Sequence, residues 1–214
     1  TKAFISGGGY SDAYIVMART GADGPRGISA FLVEADAPGL SFGGLEQKMG
    51  WRAQPTRQVQ MDGVPVGRAD LIGEEGRGFA YAMAGLDGGR LNIAATALGG
   101  SQAAFDATLS YMAERHAFGQ ALNQFQALQF RLADMATRLE AARLFLRHAA
   151  WKLDTNAPFA TVGCAMAKLH VTDAAFEVAN DCLQLHGGYG YLADYGIEKI
   201  VRDLRVHQIL EGTN

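Results

Sequence analysis

Leu128, Leu132, Met135, Leu139, Ala142 and Leu146 recur at spacings of four, three, four, three and four residues. That is the period of one face of an α-helix, and a stripe so regular marks a helix buried on one side. The rhythm returns at Ala165, Leu169, Thr172, Phe176, Ala179 and Leu183. A looser, alanine-rich version runs through Phe79, Met83, Leu86, Ile93 and Ala97. Asn156-Ala157-Pro158 separates the second of these helices from the third, and Gly187-Gly188 ends the third. A shorter helix is expected from about Tyr195 to Leu204. Long helices with short connections make antiparallel neighbours, so this part of the chain predicts a four-helix bundle.

The texture differs before residue 73. Ala13 to Ala18 and Ile28 to Val33 read as strands, separated by the turn-rich Gly21-Ala22-Asp23-Gly24-Pro25-Arg26-Gly27. Leu40 to Phe42 and Arg57 to Met61 continue the pattern, and Asp62-Gly63 marks another turn. The fold class expected is therefore α+β. A partial antiparallel β domain over residues 1–73 precedes a C-terminal four-helix bundle over residues 74–214. Thr1 to Ile5 already reads as a strand, so the chain is expected to begin inside the β domain, with the opening strands missing, and to stop at Asn214 before its last segment.

Of the 214 residues, 49% are hydrophobic, enough to bury the core of one large domain or two small ones. A net charge of −3 argues against a surface that tracks a phosphate backbone, so no nucleic-acid partner is expected. No apolar run approaches the roughly 20 residues that span a bilayer. Cys164 and Cys182 fall in one predicted helix, where their Cα atoms would stand about 27 Å apart, against the roughly 7 Å limit for a disulfide. They read as reduced core thiols. No ligand spacing suits zinc, so no metal site is expected.

Four places could carry chemistry. Gln184-Leu185-His186-Gly187-Gly188-Tyr189-Gly190 could let backbone amides approach phosphate oxygens, or it could be a plain glycine helix cap. Glu114-Arg115-His116-Ala117-Phe118-Gly119 suits a planar phosphorylated ligand, or else a solvated helix end. Asp87-Gly88-Gly89-Arg90 places two glycines inside a helix at about 1 kcal/mol each. Either a group approaches the backbone closely there, or two helices do. Val206-His207-Gln208-Ile209-Leu210-Glu211-Gly212-Thr213-Asn214 holds a carboxylate after two aliphatic residues and before a glycine. In a partly apolar pocket desolvation would strengthen it as a base, while at a helix end it is an ordinary surface group.

Taken in order, these segments resemble the acyl-CoA dehydrogenase family across the whole chain. The likeness rests on Lys2-Ala3-Phe4-Ile5-Ser6, Arg115-x-x-Phe118-Gly119, Leu132-Ala133-Asp134-Met135, Met166-Ala167-Lys168, Gln184-x-x-Gly187-Gly188-x-Gly190, Arg202-Asp203 and Gln208-Ile209-x-Glu211-Gly212-Thr213. Within the family it is greatest to the isobutyryl-type members of the valine pathway. Gly50-Trp51-x-x-Gln54-Pro55-Thr56-Arg57, Gly88-Gly89-Arg90-x-Asn92-Ile93-Ala94 and Arg205-Val206-His207-Gln208-Ile209-Leu210-Glu211-Gly212 carry that part of the likeness.

The resemblance makes the β segment the family's middle domain. It implies FAD as cofactor, α,β-dehydrogenation of a short, branched acyl-CoA substrate, electron-transfer flavoprotein as electron acceptor, and a homotetramer. Glu211 would be the catalytic base. Phe4, Ile5 and Ser6 would lie at the flavin ring. Arg115, Phe118, Gln126, Gln184, Gly187, Gly188 and Thr213 would contact the FAD diphosphate and adenosine, partly across a subunit boundary. Asp87, Gly88, Gly89 and Arg90 would meet the CoA portion, and Leu210 and Gly212 the acyl group. Many relatives carry Trp at the position of Phe4 and Tyr at that of Leu210. Leu210 removes bulk beside the base, which would admit a branched acyl group. The compartment implied is the cytoplasm in a bacterium and the mitochondrial matrix in a eukaryote. An acyl-CoA oxidase, or a scaffold that kept this fold without the chemistry, remains the alternative.

Overall fold

The computed structural model describes residues 1–214. The chain is α+β and divides into two compact units, Thr1–Gly85 and Leu86–Asn214. Five strands make the first unit: β1 (Lys2–Ser6), β2 (Ala13–Arg19), β3 (Ile28–Glu34), β4 (Leu40–Phe42) and β5 (Thr56–Met61). They form an antiparallel sheet of order β1-β5-β4 and a separate β2-β3 hairpin. Buried Tyr14, Ala30, Val33 and Val59 fill its core, with the Tyr14 and Phe42 rings 5.5 Å apart. The β2-β3 connection requires glycine at position 27, because a Cβ there would stand 1.8 Å from the Ala22 carbonyl oxygen. Ser29 is fully buried on β3, and its hydroxyl meets the Gly76 N–H and the Thr20 hydroxyl, so its polar group is satisfied.

The 37-residue α1 (Gly78–Glu114) begins in the first unit and runs on into the second. There it is joined by a two-stranded hairpin, β6 (His116–Ala117) and β7 (Gln120–Ala121), and by α2 (Gln126–Asp154), α3 (Ala160–His186) and α4 (Ile197–Arg205). Residues of all four helices share one core: Ala94, Leu98 and Met112 from α1, Met135 and Leu139 from α2, Val171 and Val178 from α3, Ile197 and Leu204 from α4. The α2 stripe lies where its spacing puts it, with Met135, Leu139 and Ala142 buried and Leu128, Leu132 and Leu146 packed against the core.

Two stripes differ from expectation. On α3 the buried residues are Cys164, Ala167, Lys168, Val171, Thr172, Ala174, Ala175, Val178, Ala179, Cys182, Leu185 and His186, whereas Ala165 and Leu169 are exposed. This helix is covered by neighbours over more than one face, so a single 3.6-residue stripe describes only its edge. On α1, Phe79 and Met83 are exposed, and burial of apolar side chains starts at Leu91, Ala94, Ala97 and Leu98. Small residues share that inner face with large ones, among them Phe105 and Met112. Both cysteines lie buried and free in α3. No helix is long and apolar enough to cross a membrane.

Leu139 is 2% exposed at the centre of the shared core. Leu139→Ala in the complete protein should lower unfolding free energy by about 3 kcal/mol, through lost burial and a residual cavity. Denaturant unfolding with an unchanged m-value is the measurement.

Candidate active site

After α4 a short 3-10 turn over Val206–Gln208 leads into a tight reversal. The amides of Ile209 and Leu210 both donate to the Val206 carbonyl, and that of Asn214 donates to Gln208. Glu211 has φ 55° and Gly212 φ 92°. Glycine adopts such angles freely, while a glutamate there sits in the sparsely populated left-handed region. The conformation turns the half-buried Glu211 side chain back onto α1. A Cβ built at Gly89 would lie 2.6 Å from Glu211 Oε2 and 3.2 Å from its carboxyl carbon. The carboxylate thus occupies the space a side chain would take. At Gly88 an added Cβ would meet nothing within 4 Å, so the helix surface is open there. Gly89 therefore answers a side-chain approach, not a helix crossing.

Asp87 and Arg90 flank these glycines. The Arg90 guanidinium donates to Asp87 Oδ1 at 3.1 Å, and the Thr161 hydroxyl donates to Asp87 Oδ2 at 2.7 Å. Both Asp87 oxygens are thereby engaged inside the protein. Burial pushes the nearby Cys164 thiol up, with the Asp87 charge adding to that and Arg90 opposing it.

Lys168 lies behind the Glu211 turn and is 3% exposed. Its ammonium donates to the Gly212 carbonyl at 2.5 Å and to Asn214 Oδ1 at 2.7 Å. Burial pulls its pKa below the usual lysine range, Asp173 and Glu211 oppose the shift, and Arg90 reinforces it. Sequence reading placed Lys168 in a motif and gave it no role. The available signal was a lysine among the apolar positions of α3, between Ala167 and Val171, where a charge needs a specific partner.

A second site forms where α3 ends. Gly187 takes φ 60°, and neither Gly187 nor Gly188 would place a Cβ within 4 Å of another atom. With Arg115 and Gln184 these glycines line a cleft of about 440 Å³. The cleft also carries the rings of Tyr111, His186 and Tyr189. The Arg115 guanidinium stacks 5.1 Å above Tyr189, and Tyr111 stacks on His186 at 4.3 Å. The Tyr111 hydroxyl donates to the His186 carbonyl. Open glycine backbone, a guanidinium and stacked rings fit the phosphates and aromatic base of a dinucleotide. Phe118, on the β6-β7 hairpin with φ 51° and 98% exposure, does not line this cleft, nor do Gln126 or Thr213, both exposed.

In the first unit, β1 carries a bulge against β5. Lys2 pairs with Val59 and Ile5 with Arg57, so three steps on β1 oppose two on β5. Phe4 sits in that bulge with φ 56° and is 76% exposed. A bulge re-aims a side chain, and an aromatic residue at positive φ is held there by its surroundings. Ser6 is exposed as well, whereas Ile5 turns inward and lines an apolar cleft with Tyr14, Val16 and Val59. Phe4 and Ser6 are thus presented outward, and Ile5 offers only its backbone.

Residues 1–64 match the model of the acyl-CoA dehydrogenase middle domain and residues 76–214 that of the acyl-CoA dehydrogenase C-terminal domain. The chain belongs to the acyl-CoA dehydrogenase family. It is 54% identical over 215 residues to the mitochondrial isobutyryl-CoA dehydrogenase of Dictyostelium discoideum, which covers 100% of this chain and 52% of that protein. The structure of butyryl-CoA dehydrogenase from Megasphaera elsdenii superposes with a TM-score of 0.95 at 42% identity, covering 100% of this chain and 56% of the other. PigA, solved with FAD and proline, superposes with a TM-score of 0.94 at 31% identity, covering 99% and 55%. The chain spans about half the length of these proteins.

His207, one turn before Glu211 and 1% exposed, adds a pH dependence. Burial lowers its pKa from 6.5 to about 4, against the opposing charge of Asp203 and with help from Lys168. The unfolded chain takes up this proton first, so the stability from a neutral buried ring is complete above pH 6.5 and is lost as pH falls through about 4. The expected loss is about 3 kcal/mol over that window. Denaturant midpoints measured from pH 7 to 4 should slope less steeply in His207→Gln than in the parent. Identical slopes would exclude His207 as the source.

Proposed function

We propose that the complete protein is an FAD-dependent acyl-CoA dehydrogenase that converts a short branched acyl-CoA, of the isobutyryl type, to its enoyl-CoA. Glu211 is the base that removes the α-proton. The observation that carries this reading is the Glu211 carboxylate held on a left-handed turn against the backbone of α1 at Gly89. A general base needs a fixed position and an accessible lone pair, and this arrangement supplies both. The likeness to isobutyryl-CoA dehydrogenase supports the acyl class.

The residues divide the work by chemistry. Arg115, Gln184, Gly187 and Gly188 would hold the diphosphate and adenosine, and Phe4 and Ser6 the flavin ring, with Phe118, Gln126 and Thr213 as further contacts, in part across a subunit boundary. Bound FAD supplies the acceptor for the hydride that leaves the β-carbon. The Glu211 amide is outside the turn's own hydrogen bonds, which are donated by residues 209, 210 and 214. It would donate to the thioester oxygen, where one such donor is worth about 3 kcal/mol to the developing enolate in a dry site. Arg90, fixed by Asp87, would meet the CoA portion over the open surface at Gly88. Leu210 and Gly212 would border the acyl group. Electron-transfer flavoprotein would take the electrons. A homotetramer would cover apolar side chains the lone chain leaves exposed, among them Trp151, Phe159, Val162 and Met166.

Glu211→Gln should keep FAD and acyl-CoA binding and bleach the flavin roughly a thousandfold more slowly when substrate is added anaerobically. Bleaching at the parental rate would remove Glu211 from this role. Leu210→Tyr should cut the kcat/KM ratio of isobutyryl- over butyryl-CoA by about tenfold. An unchanged ratio would show that position 210 does not set the branch preference.

A further inference from the structure

A lysine is among the most costly side chains to bury, because its ammonium loses hydration and needs oxygen partners. Lys168 has two, the Gly212 carbonyl and Asn214 Oδ1, one and three residues past Glu211. Asn214 continues the connection to α3, its amide reaching the Thr172 hydroxyl at 2.8 Å and Asp173 Oδ1 at 2.7 Å. Asp173 Oδ1 also accepts from the Gln208 side chain at 2.7 Å, on the other side of Glu211. Residues 208, 212 and 214 are thus fastened to one face of α3, with residue 211 bracketed between them. The left-handed backbone of Glu211 is strained and persists only where the surroundings over-determine it. These bonds are the surroundings.

We infer that Lys168 is a positioning residue whose buried ammonium ties Gly212 and Asn214 to α3, holding Glu211 in the conformation that sets its carboxylate against Gly89. The role rests on the base assignment above for its kinetic consequence, and on geometry alone for its mechanical one. Without the ammonium the turn is free to relax toward ordinary φ, and the carboxylate leaves its seat on α1.

The test uses the complete flavin-loaded protein, with Lys168→Met, which keeps length and apolar volume while removing the donors, and Asn214→Ala at an exposed position. Amide hydrogen exchange over residues 209–214 reads the turn directly. Lys168→Met should raise that exchange about tenfold, with α2 and α3 unchanged. It should keep the flavin spectrum and the acyl-CoA Kd within about threefold while slowing flavin reduction about 100-fold, the effect of a base displaced by an ångström. Asn214→Ala should show a smaller change of the same kind. Exchange of the turn at the parental rate in the variants overturns the inference. So does a loosened turn with reduction at the parental rate. If Lys168→Met does not fold, Asn214→Ala decides by the same two criteria. If no acyl-CoA reduces the parent flavin, the dehydrogenase reading fails, and loss of turn protection in Lys168→Met still establishes the clamp.

Discussion

A carboxylate rests against the backbone of a helix, and this is possible only because the helix has no Cβ at position 89. The rest of the helical unit answers to that contact. A helix interior with Gly88 and Gly89 gives up about 1 kcal/mol per glycine relative to alanine, so α1 owes its continuity to packing, not propensity. The packing is close because small residues set it: Ala94, Ala97, Ala104, Ala142, Ala175 and Ala179 are all fully buried. Gly100 follows the same rule, since an added Cβ there would press on Leu204 of α4 at 3.2 Å. The helix that carries the turn is thereby brought against the helix that receives the carboxylate.

Much of this could be read from the chain. The α2 stripe is legible because the helix buries one face with large side chains, so periodicity and burial coincide. The β2-β3 pair is legible from its strand-forming residues and the glycine-rich turn, and Gly27 has a steric reason to be glycine. The ordered motifs around Arg115, Gly187-Gly188 and Glu211 gave the family, and the structure gathers Arg115, Gln184 and the two glycines into one cleft. Other features were beyond reach because they depend on partners far apart in sequence. α3 is covered on several sides, which erases a single stripe. The Asp87 carboxylate meets Thr161 across 74 residues. Lys168 meets the Glu211 turn across 44. Phe4 sits in a bulge set by its register with β5, and no local pattern announces the extra residue.

The two titratable groups behind the turn solve related problems in opposite ways. Lys168 and His207 are both pulled down by desolvation, and the Lys168 charge further disfavours a proton on His207. With a pKa of about 4, His207 is neutral near pH 7, so it adds no second positive charge beside the lysine. The ammonium is then directed at oxygens of the turn, with Asp173 and Glu211 favouring its charge. Folding the ring in as a neutral body and the lysine as a donor lets one small interior region hold both.

The same economy separates the two carboxylates beside the glycine pair. Asp87 gives one oxygen to Arg90 and the other to Thr161, so its lone pairs are engaged and its position is fixed. It is built to hold a neighbour in place. Glu211 is fixed by a different route, through its backbone, with residues 208, 212 and 214 fastened to α3. Fixing a carboxylate through its own oxygens would satisfy them and weaken it as a base. Fixing it through the peptide chain, at the cost of one strained φ and one buried lysine, leaves the oxygens for the proposed role as base. The left-handed turn and the buried lysine are therefore two parts of a single solution, and the missing side chain at Gly89 is the third.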